Sequence, residues 1–271
     1  MVTATYSPGW GMRAIACLGH ERRGGNMKRC ALVTGGSRGI GAAVALALAA
    51  KGYEVALTYR SQRLAAEGMA AEVERLGRKA VVLQADLADP ARAREVVHEA
   101  ADALGGLHAL VNNAGYVQRM PWDEISLEDW NRMIGVTLTA AFVTAQAAAP
   151  YMVEAGFGRI VNISSLRALT GSAHGAHYAA AKAGLLGLTR SLALALAPHG
   201  ITVNAVCPGF TATDMNREVL EKQGDKIRAQ IPLGRAAEPR EVAALVSFLC
   251  SEEASYITGE TISVNGGIRM G

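Results

Sequence analysis

The chain has 271 residues, which fits one large domain or two small ones. Half of the residues are hydrophobic, which argues against intrinsic disorder, and a net charge of +3 gives no basic stripe of the kind that nucleic-acid-binding proteins carry. The longest uninterrupted apolar runs, such as residues 42–50, fall short of the ~18 residues that span a membrane, so we expect neither a nucleic-acid nor a membrane partner.

The four cysteines are scattered along the chain, at Cys17, Cys30, Cys207 and Cys250. They form no CxxC spacing and have no paired histidines, which argues against a structural zinc site, and no metal site is predicted. The same scatter argues against a disulfide framework. A reducing, cytoplasmic setting is therefore expected.

Residues 1–26 differ from the rest of the chain because they show no sustained helical or strand period. Their apolar stretch, residues 14–18, is shorter than the ~7–15-residue core of a secretory signal. We interpret residues 1–26 as an N-terminal extension that is flexible or lies upstream of the true start codon. An arm that packs on a neighbouring subunit is the alternative. Residues 27–271 are predicted to form a single domain.

From residue 30 onward, short apolar runs alternate with longer segments of helical period. In chain order, the predicted elements are strand 30–34, helix 39–51, strand 54–59, helix 64–76, strand 80–84, helix 90–104, strand 107–112, helix 127–155, strand 158–164, helix 178–196, strand 201–206, helix 240–249 and strand 261–264. Pro150 predicts a kink or break in the long helix. Repeated β-α units with apolar strands predict an α/β fold with a Rossmann-like, doubly wound parallel sheet of about seven strands, covered by helices on both faces.

The first predicted strand runs into a glycine-rich turn with the spacing Thr34-Gly35-x-x-x-Gly39-x-Gly41. Glycines let the backbone approach a pyrophosphate closely, and the following helix N-terminus offers free N–H groups to the anion. The turn alone is a weak signal, but its place in the first β-α unit favours a dinucleotide site.

Three further motifs follow in order. NNAG begins at Asn112 after the fourth strand, YxxxK joins Tyr178 to Lys182, and a Pro-Gly pair begins at Pro208 after the sixth strand. With the glycine turn, they make residues 27–271 resemble the short-chain dehydrogenase/reductase family. The resemblance implies an NAD(P)-dependent oxidoreductase that acts on CH–OH and carbonyl groups.

The resemblance also assigns cofactor-binding residues, with the pair Asp86 and Leu87 expected at the adenine and Asn113 on the ribose side. The full predicted set is Gly35, Ser37, Arg38, Gly39, Ile40, Gly41, Tyr59, Arg60, Asp86, Leu87, Asn113, Ala114, Gly115, Tyr178, Lys182, Pro208, Gly209, Thr211 and Thr213.

The end of the second strand bears on the choice of nicotinamide cofactor. NAD-preferring proteins place a carboxylate there to bind the ribose 2′-hydroxyl. This chain has Tyr59 followed by Arg60. Arg60, with Arg38 in the glycine turn and Arg63 as a third candidate, suits a 2′-phosphate, so NADPH is predicted over NADH.

The predicted catalytic residues are Ser165, Tyr178, Lys182 and Thr137. Tyr178 and Lys182 lie four residues apart and therefore on one helical face. An ammonium group lowers the pKa of a neighbouring phenol, so Tyr178 is predicted to exchange a proton with the substrate oxygen. The resemblance places Ser165 on the carbonyl oxygen. Strand alternation points its neighbour Ser164 the opposite way.

One position departs from the family pattern. Thr137 stands where the family usually has an asparagine that holds a water beside the lysine, partly through its backbone carbonyl. Thr137 keeps that carbonyl and adds a hydroxyl, so a proton relay through this position is expected to survive in the same or an altered form.

The segment after Pro208 and the C-terminal residues resemble 3-oxoacyl-(acyl-carrier-protein) and acetoacetyl-CoA reductases. They imply that the substrate is a 3-oxoacyl thioester, of acyl carrier protein or CoA, or a similar β-keto compound. They also imply that residues 215–235 form a lid over this substrate. Two positions where carrier-protein reductases have docking arginines are Gly156 and His199, which favours CoA thioesters or free ketones. The residues expected to border the substrate pocket are Gln118, Arg119, Arg167, His174 and His177.

Two alternatives stay open. One is an alcohol or cyclic-ketone dehydrogenase of the same family with a free small-molecule substrate. The other is a non-catalytic dinucleotide-binding sensor, although such proteins typically lose the tyrosine or lysine that this chain keeps. The predicted helices 127–155 and 178–196 are apolar on several faces, which together with the resemblance predicts a homotetramer.

Overall fold

The computed structural model describes residues 28–270, so the predicted extension and Cys17 lie outside the described residues. Its sheet has seven parallel strands in the order β3-β2-β1-β4-β5-β6-β7. The strands are β1 (Arg29–Val33), β2 (Tyr53–Tyr59), β3 (Ala80–Gln84), β4 (Ala109–Asn112), β5 (Gly158–Ile163), β6 (Ile201–Pro208) and β7 (Thr261–Val264). The predicted fold class is confirmed.

Nine α-helices are found among residues 28–270, together with two three-residue 3₁₀ turns, Trp122–Glu124 and Ala197–His199. They are α1 (Gly39–Ala50), α2 (Arg63–Arg75), α3 (Pro90–Leu104), α4 (Leu127–Ile134), α5 (Ala140–Ala155), α6 (Arg167–Thr170), α7 (Ala176–Leu196), α8 (Asp214–Gln230) and α9 (Pro239–Leu249).

Strand alternation divides the hydrophobic core between the two faces of the sheet. In β1, Ala31 and Val33 pack with α1 and α9, whereas Leu32 packs with α3 and α5 on the other face. All three side chains are fully buried. Burial on both faces explains why the strands read as continuous apolar runs rather than as alternating patterns.

The predicted helix 127–155 is interrupted, but not at Pro150. Helix α5 continues through Pro150 to Ala155. The interruption is a π-helical turn at Gly135–Thr139, where the N–H of Ala140 bonds the carbonyl of Gly135, five residues earlier. The prediction of a break at Pro150 is therefore wrong, and the wider turn that takes its place carries Thr137.

The region expected as a lid is largely the helix α8, which the apolar pattern did not predict. Its charged residues pair along the helix, as in Lys222 with Glu218 at 2.7 Å. One residue, Gln223, leaves the helical conformation with φ −133°. Few residues of α8 are buried, so the helix has ion pairs along its surface instead of a buried apolar stripe.

Two helical stretches, Leu127–Ala155 and Ala176–His199, are long and apolar enough to cross a membrane, with mean hydropathies of 1.4 and 1.3. They qualify by length and composition only, and the expectation above concerned uninterrupted apolar runs, which are shorter. Within the fold, α5 packs on α3 and α7 packs on β6. Helices that pack inside a folded domain have the same length and composition.

A buried polar chain fixes α5 and α7 against the sheet. The hydroxyl of Thr144 in α5 donates to Asn112 Oδ1 at 2.7 Å, and Asn112 Nδ2 donates to Asn162 Oδ1 at 2.9 Å. Asn162 Nδ2 then donates to the hydroxyl of Thr189 in α7 at 2.9 Å. Since unpaired buried amides are costly, this chain sets the position of α7 relative to β4 and β5.

Candidate active site

A cleft of about 690 Å³ lies at the carboxyl ends of the strands. It opens where the strand order reverses between β1 and β4, the place at which open α/β sheets bind their ligands. The predicted site residues that line it are Gly35, Ser37, Arg38, Gly39, Ile40, Tyr59, Arg60, Asp86, Leu87, Asn113, Ala114, Gly115, Ser165, Tyr178, Lys182, Pro208, Gly209, Thr211 and Thr213. Gly41 and Thr137 do not line the cleft and are buried close behind it.

The glycines of the turn allow neighbouring parts of the backbone to approach one another closely. A Cβ on Gly41 would lie 2.3 Å from the carbonyl oxygen of Gly35 and 2.5 Å from Asn113 Nδ2, so only glycine fits there. Gly35 and Gly39 have φ values of +63° and +58°, which favour glycine. Helix α1 begins without a side-chain cap and has no acidic residue in its first turn, so its N-terminal N–H groups suit a phosphate.

Asn113 ties the NNAG segment to this turn. Its Nδ2 donates to the carbonyls of Thr34 and Gly35 at 2.9 and 3.1 Å. The buried hydroxyl of Thr34 accepts from the backbone N–H groups of Asn113 and Ala114 at 2.9 and 3.0 Å. Thr34 was not among the predicted site residues, although its place at the start of the glycine motif was visible in the sequence. Thr34 thus holds the NNAG segment in place behind the glycine turn.

Two of the arginines that were predicted to bind a 2′-phosphate line the cleft. Arg38 and Arg60 are exposed cleft residues, and among residues 28–270 neither has a carboxylate within 4 Å. Arg63 bonds Glu67 at 2.7 Å and does not line the cleft. Arg38 and Arg60 thus offer two unpaired guanidinium groups beside the glycine turn.

The two serines after β5 face different partners. The hydroxyl of Ser164 donates to the backbone carbonyl of Lys182 at 2.7 Å and so helps to hold α7. The hydroxyl of Ser165 accepts from the backbone N–H of Arg167 at 3.1 Å, and Ser165 acts to lower the pKa of Tyr178 against the effect of burial. Ser165, rather than Ser164, thus lines the cleft with its hydroxyl close to Tyr178.

The protonation of Tyr178 differs from the expectation. Burial raises the pKa of Tyr178 above its usual value, and Ser165 followed by the positive charges of Arg119 and Arg167 acts in the opposite direction. The predicted effect of Lys182 on this pKa is not among these influences and stays a prediction. Lys182 Nζ lies 5.9 Å from the tyrosine ring centroid and donates to the carbonyl of Ile163 at 2.6 Å. Burial lowers the pKa of Lys182 itself to about 8.

Thr137 lies within the π-helical turn and is 3% exposed. Gly115 lies between it and the lysine, since a Cβ on Gly115 would stand 3.6 Å from Lys182 Nζ and 3.9 Å from Thr137 Oγ1. The side-chain hydrogen bond of Thr137 reaches only Met133 Sδ, at 3.7 Å. The Thr137 hydroxyl and the Lys182 ammonium thus both border Gly115, and the hydroxyl has a weak partner.

The substrate end of the cleft is lined by four of the five residues expected there, Gln118, Arg119, Arg167 and His174. The fifth, His177, is fully buried and does not line the cleft, so its assignment to the pocket is wrong. Helix α7 turns this side chain away from the cleft that Tyr178, the next residue, lines.

A family described as "Enoyl-(Acyl carrier protein) reductase" matches residues 35–269 of the chain. The chain is 40% identical over 244 residues to 3-oxoacyl-(acyl-carrier-protein) reductase FabG of Staphylococcus aureus, covering 90% of this chain and 99% of the relative. It is 44% identical over 242 residues to acetoacetyl-CoA reductase of Shinella zoogloeoides, covering 89% of this chain and 98% of the relative.

Solved structures agree with this fold. A short-chain dehydrogenase from Burkholderia cenocepacia in complex with NADP superposes with a TM-score of 0.84 at 44% identity, covering 89% of this chain and 97% of the other. Acetoin dehydrogenase from Enterobacter cloacae gives a TM-score of 0.84 at 39% identity, covering 90% and 96%.

The close contact at Gly41 predicts a binding defect. In Gly41→Ala the new Cβ must displace Gly35 or Asn113, so the dissociation constant for NADPH, measured by fluorescence titration, should rise at least about tenfold. The control is Gly68→Ala in α2, where a Cβ meets nothing within 4 Å. It should bind NADPH as the unmodified protein does and gain about 0.4–1 kcal/mol in unfolding free energy. A folded Gly41→Ala protein with unchanged binding would contradict the packing argument.

Proposed function

The chain belongs to the short-chain dehydrogenase/reductase family and is an NAD(P)-dependent oxidoreductase, and from this premise we propose its reaction. We propose an NADPH-dependent carbonyl reductase that acts on a 3-oxoacyl thioester or a similar β-keto compound, with Tyr178 as the proton donor. The observation that carries the proposal is the meeting of Ser165, Tyr178 and Lys182 in the cleft that the glycine turn also borders. The non-catalytic sensor is set aside.

The protonation of Tyr178 suits the reductive direction. Burial keeps the pKa of its phenol above the usual value, so the hydroxyl carries its proton at neutral pH. When bound, NADPH supplies the hydride to the carbonyl carbon. Tyr178 then gives its proton to the carbonyl oxygen, which yields the alcohol and leaves a phenolate. Ser165 donates a hydrogen bond to the same oxygen and orients it for the transfer.

Lys182 has two tasks in this proposal. Its side chain is 4% exposed and faces Gly115 in the cleft wall, where its ammonium can donate to the ribose hydroxyls. With a pKa of about 8, it can also release a proton near neutral pH and so help to restore the proton on Tyr178. Thr137 is proposed to help return a proton to Lys182 afterwards, through a relay that its hydroxyl and its backbone carbonyl support.

The preference for NADPH is supported by Arg38 and Arg60, the unpaired guanidinium groups beside the glycine turn. The residues of the glycine turn fit the cofactor, because glycines have no Cβ and so leave room for a phosphate close to the backbone. The Burkholderia cenocepacia structure is itself in complex with NADP.

The thioester substrate is supported by the relatives, a 3-oxoacyl-(acyl-carrier-protein) reductase and an acetoacetyl-CoA reductase. Since Gly156 and His199 stand at the expected carrier-docking positions, CoA is the preferred carrier. A second candidate function is a dehydrogenase of free small ketones or alcohols, favoured by the structural likeness to an acetoin dehydrogenase.

We further propose a homotetramer in the cytoplasm. Exposed apolar side chains such as Phe142 in α5 and Leu194 in α7 support burial against other subunits. The three cysteines within residues 28–270 are buried free thiols, as expected in a reducing compartment.

The experiment that tests the proposed function measures NADPH oxidation by absorbance with acetoacetyl-CoA. The unmodified protein should turn over, and Tyr178→Phe should lose at least about a hundredfold in kcat because it lacks the proton donor. NADPH binding should stay within about threefold, and Tyr256→Phe, at an exposed tyrosine outside the cleft, should keep full activity. Equal rates for Tyr178→Phe and the unmodified protein would refute the assigned donor.

The cofactor preference predicts a second result. Replacing both Arg38 and Arg60 by Gln should lower the ratio of kcat/KM for NADPH to that for NADH by about ten- to a hundredfold, because charge-assisted bonds to the 2′-phosphate are lost. Arg63→Gln is the control, since Arg63 is paired with Glu67, and it should leave the ratio unchanged. A ratio that does not move in the double variant would place the 2′-phosphate elsewhere.

The relay proposal is tested at Thr137. Thr137→Val keeps the shape and the backbone but removes the hydroxyl, so kcat should fall about tenfold at unchanged NADPH affinity. Thr137→Asn, which installs the usual family residue, should retain or raise kcat. Thr139→Val, in the same π-helical turn, serves as the control. If Thr137→Val turns over like the unmodified protein, the hydroxyl has no part in the relay.

A further inference from the structure

The cleft is strongly positive, and its acidic residues are already paired. The basic residues that line it are Arg38, Arg60, Arg119, Arg167, Lys182 and Lys226, and the acidic ones are Asp86 and Asp214. Asp86 lies 3.4 Å from Arg132, and Asp214 is paired with Arg217. Arg38 and Arg60 are proposed to bind the cofactor phosphate. Arg119 and Arg167, at the opposite, substrate end, have no role in the proposed reaction.

These two arginines come from different loops and are held by neutral groups. Arg119 follows the NNAG segment after β4, and its Nη2 lies 3.4 Å from the side-chain oxygen of Asn216. Arg167 begins α6 after β5, and its guanidinium lies 5.8 Å from the ring centroid of Phe210. Within the part of the chain that the structure describes, neither arginine has a carboxylate within 4 Å. Both positive charges are therefore available to a ligand.

Both arginines also lie near the reacting hydroxyl. Burial raises the pKa of Tyr178, whereas the positive charges of Arg119 and Arg167 act to lower it. The backbone N–H of Arg167 donates to the hydroxyl of Ser165 at 3.1 Å. Arg119 directly follows Gln118, whose carbonyl oxygen would lie 3.7 Å from a Cβ on Gly175, a Cβ that would also lie 3.9 Å from Tyr178 Cβ. Both arginines thus belong to the part of the cleft wall that surrounds Tyr178 and Ser165.

We propose that Arg119 and Arg167 together bind an anionic oxygen group of the substrate, close to the carbonyl group that Tyr178 protonates. The guanidinium group matches planar and tetrahedral oxyanions through paired N–H donors, which is why arginine is used where such anions are recognised. The proposal rests on the proposed carbonyl reduction and makes its substrate class narrower: the β-keto substrate carries a negative charge.

Two sources can supply this anion. A small free oxo acid carries a carboxylate a few atoms from its ketone, whereas a CoA thioester carries phosphates at the far end of a long arm. The position of both arginines beside Tyr178 favours the carboxylate of a small oxo acid. A neutral ketone would leave both charges unpaired next to the reacting centre.

The test compares three substrates that share one β-keto group: acetoacetate with a carboxylate, acetoacetyl-CoA with phosphates, and ethyl acetoacetate with no charge. NADPH oxidation is measured for Arg119→Gln, Arg167→Gln, the double variant and the control Arg75→Gln, an exposed arginine of α2 paired with Glu72 outside the cleft. Any general effect on Tyr178 changes kcat for all three substrates alike. The ratio of kcat/KM between a charged and the neutral substrate therefore isolates anion binding.

In the double variant, the ratio for acetoacetate over ethyl acetoacetate should fall at least tenfold, mainly through KM, and each single variant should show part of this loss. Arg75→Gln should leave the ratio unchanged. If the loss appears for acetoacetyl-CoA and not for acetoacetate, the pair binds the CoA phosphates away from the reacting carbonyl, and the proposed site close to Tyr178 is wrong. If the double variant treats charged and neutral substrates alike, the proposal is wrong.

A binding measurement separates this proposal from the reductase activity. Acetoacetate is titrated calorimetrically into the protein saturated with NADP⁺, with ethyl acetoacetate as the neutral comparison. Tighter binding of acetoacetate that is lost at least tenfold in the double variant would support the anion site even if no substrate is turned over, in which case only the proposed reaction fails. Equal binding to both proteins, or no binding to the unmodified protein, would overturn the anion site whatever the activity.

Discussion

The buried ammonium of Lys182 is the constraint around which the site is organised. A charge taken out of water is costly, and here its protein hydrogen bond goes to the carbonyl of Ile163 at the end of β5. Its lowered pKa, about 8, is the direct expression of that cost. The chain can hold Lys182 there only if α7 cannot move outward. The Asn162–Thr189 bond and the bond from Ser164 to the Lys182 carbonyl both resist such a movement.

The same constraint reaches across the cleft. A Cβ on Gly115 would lie 3.6 Å from Lys182 Nζ, and Asn113, two residues earlier, ties that segment to the glycine turn. One short loop after β4 thereby links the glycine turn to the surroundings of Lys182. The positions of the glycine turn and of Lys182 are therefore coupled through this loop rather than set by separate loops.

Much of this arrangement was predictable from the sequence, because apolar strand runs and fixed motif spacings are local features. The parallel sheet covered by helices follows from the β-α repeats, and the turn at Gly35 to Gly41 follows from its glycines. The π-helical turn at Thr137 was not predictable, since one extra residue in a turn leaves no compositional mark. Nor was the orientation of His177, because a helix face is decided by packing. The raised pKa of Tyr178 depends on burial, which residue spacing does not report.

The charge distribution couples substrate binding to proton donation. A nearby cation stabilises the phenolate and lowers the pKa of Tyr178, so Arg119 and Arg167 oppose the effect of burial as long as their charges are unpaired. An anion bound between them neutralises much of that field, and the pKa of Tyr178 then rises. Burial already keeps the phenol protonated at neutral pH, so the bound anion leaves the donating form unchanged. The anion instead makes the phenol a weaker acid, because the phenolate that reduction produces loses the stabilising field of the two arginines.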